Sequence, residues 1–324
     1  MAIRIGTELG EAHVRPGHGE LERLAERIGA DGDRFLVVER IPSDPDVYVQ
    51  VWHDAADAGP RTYQLEHRDG DSGRHFRAHP RSAREVGAVL AGWARGDADW
   101  DRGTVWEHVP FPAAQTAPPL DATVRRELEQ RVRLALRCGY DGRPELAELA
   151  EDYLVNGPVR PVSEAQAAEL VLRLWRERVA EQAGWVGETD PERVSRAFVA
   201  LEAAGITARQ DFACCRGCGR AEIRGVGAEG ARGFVFFHRM CTEGAAQGGD
   251  LILIYGSFGA SGRTGSDGET DGAPDEGAEE ASTAAVGREV VAALAEVGLR
   301  WLWDGSAHDA IRVTELDWRK RLTR

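Results

Sequence analysis

Four of the five cysteines fall in one stretch, as Cys214-Cys215-Arg216-Gly217-Cys218-Gly219 followed by His238 and Cys241. Two cysteines three positions apart can both face one ion, and a glycine after the second lets backbone N–H groups approach the thiolates, which is the form of half a zinc site. A closed tetrahedral site requires two more donors. His238 and Cys241 supply them, giving the set Cys215, Cys218, His238 and Cys241 around a structural zinc, with Cys214 as a substitute ligand. One geometric condition applies. Side chains alternate along a strand, so His238 and Cys241 can serve together only if the strand that begins at Phe234 ends near Arg239. In the competing reading Cys214, Cys215 and Cys218 are small apolar fillers at a strand end, and His238 is a hydrogen-bonded histidine of the sheet.

The same cysteines have the spacing of a redox dithiol, with Arg216 and Arg220 placed to favour thiolates. Such a motif opens a helix after a strand inside a βαβ unit. Arg220 to Arg224 read instead as strand or loop, which ranks redox catalysis behind zinc. Cys138 lies beside a helix stripe and reads as core. His53, His67, His75 and His79 stand on neighbouring strand ends, but their spacing matches no known ligand set, so residues of a solvated sheet face are expected. Trp301, Trp303 and Trp318 are expected to pack more than to form an open platform. Gly225 to Gly233 lacks the lysine of a phosphate loop, and no nucleophile elbow or well-placed acid pair is present. Any enzyme reading therefore rests on the cysteines.

The elements that would position them form an α+β protein. Residues 1–111 hold a helix at Gly19–Ile28, strands at Arg34–Ile41, Val47–His53, Thr62–His67 and Arg74–His79, and a helix in which Ser82 and Glu85 have capping-box spacing and Gly96 is the stop. Trp106–Val109 closes this antiparallel sheet, with one or two helices on one side. A proline-rich linker is expected at 112–119. In 120–324 four helices come first, at 120–138, 144–154, 163–183 and from Thr189 to a stop at Gly205. A sheet follows, with strands at 206–212, 233–238, 251–255, 299–303 and 311–316, a helix at 283–297, and a hairpin joining the last two strands. Leu251–Tyr255 is apolar on both faces and should be a central strand. Residues 259–282 carry seven acids against Arg263 and almost nothing apolar, so they read as a disordered acidic insertion.

At 324 residues the chain accommodates two ordinary domains. No run is long and apolar enough to span a bilayer, and Met1–Glu11 lacks a signal pattern, so the expected compartment is the cytoplasm, where cysteines serve as thiols or ligands. A formal charge of −14 repels phosphate backbones and favours basic protein partners, which argues against nucleic acid. Lys320 is the only lysine among 40 basic residues, a bias that weakens any argument from arginine clusters.

Gly205-Ile206-Thr207-Ala208-Arg209, Phe212 to Gly219, Phe234 to His238 and Trp303-Asp304-Gly305 together resemble a mainly actinobacterial family known only as a domain of unknown function, over about residue 120 to the C-terminus. The resemblance implies no activity. The segment from the last helix through Trp303-Asp304-Gly305 is similar to the ferredoxin-like α+β fold of bacterial regulators that bind and inhibit ribonucleases. The first module, through Tyr63–Gly70, Arg74-His75-Phe76 and Trp93, is similar to immunity proteins of toxin systems. These likenesses imply a non-enzymatic binding or regulatory protein acting on a basic protein partner. The alternative is a zinc- or thiol-dependent enzyme using Cys214, Cys215 and Cys218.

Overall fold

The computed structural model describes residues 2–53, 63–71, 73–110, 117–258 and 276–323, apart from the side chains of His18 and Glu276. The chain divides into two compact units, Met1–Ala117 with Leu322–Arg324, and Pro118–Arg321. It is an α+β protein, with an antiparallel sheet first and then helices followed by a mixed sheet. Among the described residues no helix is long and apolar enough to cross a membrane.

The first unit contains β1 (Ile3–Thr7), β2 (Ala12–Val14), α1 (His18–Arg27), β3 (Phe35–Asp44), β4 (Val47–Trp52), β5 (Gln64–Asp69), β6 (His75–Ala78), α2 (Ala83–Arg95) and β7 (Glu107–His108). The strands run antiparallel in the order β2-β1-β3-β4-β5-β6-β7. Leu21, Leu24 and Ile28 and the stripe Val86, Val89, Leu90 and Trp93 pack on one face of the sheet against Ile3, Ile5, Leu36, Val38, Val49, Val51 and Leu65. Ser82 caps α2 by accepting from the Glu85 N–H, and Gly96 ends it with φ 77. The sequence reading missed β1 and β2, because only Ile3 and Ile5 alternate before Gly6. Thr62 lies outside the described residues. Tyr63 and Leu65 are buried as their alternation requires. Glu66 is buried on the other face because Gln50, Gln64, His75 and Arg77 surround its carboxylate.

Of the linker expected at 112–119, residues 112–116 lie outside the described residues. The second unit contains α3 (Ala122–Cys138), α4 (Arg143–Asp152), α5 (Glu164–Ala183), α6 (Asp190–Ala203), β8 (Ile206–Arg209), α7 (Arg216–Glu222), a 3-10 turn (Ile223–Val226) and β9 (Gly233–Phe236). It continues with α8 (Arg239–Ala246), β10 (Leu251–Ser257), α9 (Glu276–Glu296), β11 (Arg300–Leu302) and β12 (Ile311–Thr314). The sheet order is β11-β12-β10-β9-β8. β8 and β9 are parallel, and the remaining pairs are antiparallel. β10 is central and covered on both faces. Leu251, Leu253 and Tyr255 join the main core under α6 and α9, while Ile254 joins Ile223, Phe234, Phe236 and Phe258 on the other side.

Several boundaries differ from the sequence reading, each for a physical reason. β8 stops at Arg209 instead of Phe212, because Asp211 (φ 49) and Ala213 (φ 63) turn left-handed and break the extended run. Arg220–Arg224, read as strand or loop, belong to α7 and the following 3-10 turn, in a helix that Gly217 and Gly219 disguise. β9 ends at Phe236, and Cys241 lies inside the unexpected helix α8. Of the acidic insertion expected at 259–282, residues 259–275 lie outside the described residues. Residues 276–282 are helical, the first turns of α9, where Ala favours helix and early glutamates suit the helix N-terminus.

Candidate functional site

The parallel pair β8–β9 is joined through α7, so both strands deliver the chain to the same end of the sheet. At that end the loop after β8 lies along the exit of β9. The Phe212 N–H donates to the Phe237 carbonyl at 2.8 Å, and the Arg239 N–H donates to the Ala213 carbonyl at 3.2 Å. Asp211 and Ala213 hold left-handed backbone conformations that cost of order 1–3 kcal/mol each for a residue with a Cβ. Asp211 is anchored as well, since its carboxylate accepts from the Thr242 hydroxyl at 2.5 Å. Burial raises the Asp211 carboxyl above the ordinary aspartate range against the pull of that bond.

Cys215 then caps α7 in an extended conformation, and its carbonyl accepts from the Gly219 N–H at 3.0 Å. Gly219 is the point of contact with the sheet. A Cβ there would stand 2.4 Å from the Phe236 ring, so only glycine lets the helix seat. With α7 seated, the sulfurs of Cys214, Cys215 and Cys218 lie within 4.8 Å of one another, and Cys214 Sγ to Cys218 Sγ is 3.5 Å. Cys214 is exposed and the other two are half-buried. The Cys215 thiol is lowered chiefly by the Cys218 N–H, then by the Cys218 thiol and the Gly217 N–H. Cys218 is pushed up to about 11 by the Cys214 and Cys215 thiols it faces. Arg216 and Arg220, expected to favour the thiolates, are not among the largest causes of either shift.

His238 and Cys241 form a separate pair. β9 ends soon enough to meet the geometric condition on them, and His238 becomes the N-cap of α8 with Cys241 in its first turn. Cys241 Sγ is 3.4 Å from His238 Nε2. Neither residue belongs to the three-sulfur group, which is the only set of three or more metal-type donors within such reach among the described residues. The structure thus brings Cys215 and Cys218 together with Cys214, the substitute ligand, and brings His238 together with Cys241. Burial lowers His238, Arg216 lowers it further and Asp211 opposes both. Burial raises Cys241, and Cys138 is pushed up to about 12 chiefly by burial in the core.

The first-unit histidines do not converge. Three of them are buried and not solvated, because His53 lies against Tyr63, His67 is packed among Phe76, Trp100 and Trp106, and His75 bonds Glu66, while His79 is exposed. Trp303 and Trp318 pack inward, Trp303 edge-on against Tyr255, while Trp301 is exposed on β11 against the expectation that it packs.

Residues 121–322 match the family described as Domain of unknown function (DUF6891). The chain belongs to this family. The DUF6891 segment contains the whole second sheet and all five cysteines, so the trithiol corner lies within the family domain. No curated protein and no solved structure matches the chain.

Sequence reasoning missed Asp211 and Thr242 as parts that build the corner, and assigned Gly219 to the thiolates where the structure has it seating α7 on Phe236. The only signal was Asp211-Phe212-Ala213 directly before the cysteines, a stretch that reads as strand unless left-handed turns are suspected. Lys320 was also missed as a packed residue. It lies under Tyr140, 4.8 Å from the ring centroid, and fits there because Gly139 has no side chain.

Proposed function

We propose that this chain is a binding protein with a soft-metal centre in its DUF6891 unit, in which Cys214, Cys215 and Cys218 are the thiolate ligands of a zinc-type ion. The observation that carries this reading is the convergence of the three sulfurs within 4.8 Å. Thiolates at bonds of about 2.3 Å suit zinc, and three protein ligands leave a fourth position open to solvent or to a partner's donor. When bound, the ion supplies a Lewis-acidic centre that ties the loop after β8 to α7. Gly219 seats the helix, Asp211 with Thr242 holds the loop, and Cys215 is already lowered toward its thiolate. The net charge of −14 supports a basic protein as partner. Elemental analysis of protein purified without an affinity tag tests the metal. Zinc near one ion per chain is expected, and its absence alongside ordinary thiol titration would end the proposal.

A second reading, dithiol–disulfide exchange, is favoured by one finding. Cys215 and Cys218 open a helix between two parallel strands, the context a redox dithiol requires. Equilibration in glutathione buffers separates the two readings. A reversible disulfide confined to Cys214, Cys215 and Cys218 supports exchange, and thiols that stay reduced unless metal is removed support the metal centre.

A further inference from the structure

We infer that the three thiols also bind trivalent metalloid hydroxides, the class of arsenite and antimonite, as a three-coordinate pyramidal complex. This rests on the reading of Cys214, Cys215 and Cys218 as one ligand set, and it names a second ligand class for that set. The donor count comes first. Among the described residues no histidine, cysteine or carboxylate joins the three sulfurs as a fourth donor, because His238 and Cys241 are turned to one another. Zinc must then import a ligand from outside. A trivalent metalloid makes three bonds and fills its fourth direction with a lone pair, so for it the set is already complete.

The spacing agrees. Two sulfurs 3.5 Å apart and each about 2.3 Å from a common ion subtend about 99° at that ion, narrower than the tetrahedral angle and close to that of a pyramidal three-bond centre. Access agrees as well, since Cys214 is exposed and the other two are half-buried. The chemistry balances without a co-reactant. Three S–H bonds and three metalloid–OH bonds break, three S–metalloid bonds and three waters form, and no atom changes oxidation state. The reagent is neutral, so an acidic protein does not repel it.

The test is titration of the reduced full chain with sodium arsenite, followed by native mass and by free-thiol count. One arsenic per chain is expected, with a mass gain of one arsenic less three hydrogens and with three of the five thiols protected. C214S should weaken binding by about tenfold or more, since it removes one arm of a chelate, and C241S should leave it unchanged. X-ray absorption at the arsenic edge on the unmodified chain counts its sulfur neighbours, so the outcome does not depend on how the variant folds. Two sulfur neighbours, or C214S binding as tightly as the parent, would overturn the inference and reduce it to ordinary dithiol capture. Cobalt uptake through three thiolates with only two thiols on arsenic would leave the metal centre standing and this inference refuted. Three thiols on arsenic with no zinc or cobalt uptake would do the reverse.

Discussion

Cys215 and Cys218 stand one helical turn apart and are driven in opposite directions, because backbone N–H groups point at the first sulfur while the second faces two other thiols. In the metal-free chain, alkylation followed by peptide mapping should show Cys215 labelled at pH values below the ordinary thiol range and Cys218 only well above it. Equal labelling at every pH would contradict that asymmetry. Asp211 is shifted upward, as Cys218 is. Burial raises its folded pKa above the unfolded value, so its contribution to stability is present at low pH and is lost as pH rises through the folded pKa. D211N keeps an acceptor for Thr242 without the charge. It should therefore unfold at a higher urea midpoint than the parent at neutral pH, and the gap should close below about pH 4. A midpoint lower at neutral pH would show that the carboxylate is needed in its ionised form. At this scale the sequence displayed the cysteines plainly. It hid Asp211, whose role depends on a backbone turn, and the contact of Gly219 with Phe236 across the chain.

Elements with strong local signals were readable. Ser82, Ser163 and the Thr189–Glu192 pair announced their helices, and the Val286, Val290 and Leu294 stripe placed the buried face of α9. α7 and α8 were not readable, since they are short and interrupted by Gly217, Gly219 and Gly244, so packing and not propensity makes them helices. That account predicts the cost of spoiling the packing. G219A drives a methyl group into the Phe236 ring and should destabilise the second unit by about 1–3 kcal/mol in urea denaturation, with weaker metal retention. Unchanged stability would mean that α7 does not depend on that contact.

Among the described residues each unit has its own apolar core, and the second unit buries a further cluster on the other face of its sheet. A fragment Pro118–Arg321 should accordingly fold cooperatively, with helical circular dichroism and a single denaturant transition. A broad, non-cooperative unfolding curve would contradict an independent second core. Periodicity, capping and turn signals made the α+β class legible. They did not reveal that His238 and Cys241 stand apart from Cys214, Cys215 and Cys218, because that depends on where β9 ends and α8 begins beside the loop after β8.

The central claim is that three cysteines act as one ligand set. Cobalt(II) added to the metal-free full chain tests it most directly, through the thiolate-to-cobalt charge-transfer absorption. The account predicts about one cobalt per chain with a band of three-thiolate strength, diminished in C214S, C215S and C218S alike and intact in C241S. No such band, or a band indifferent to the loss of Cys214, would contradict it.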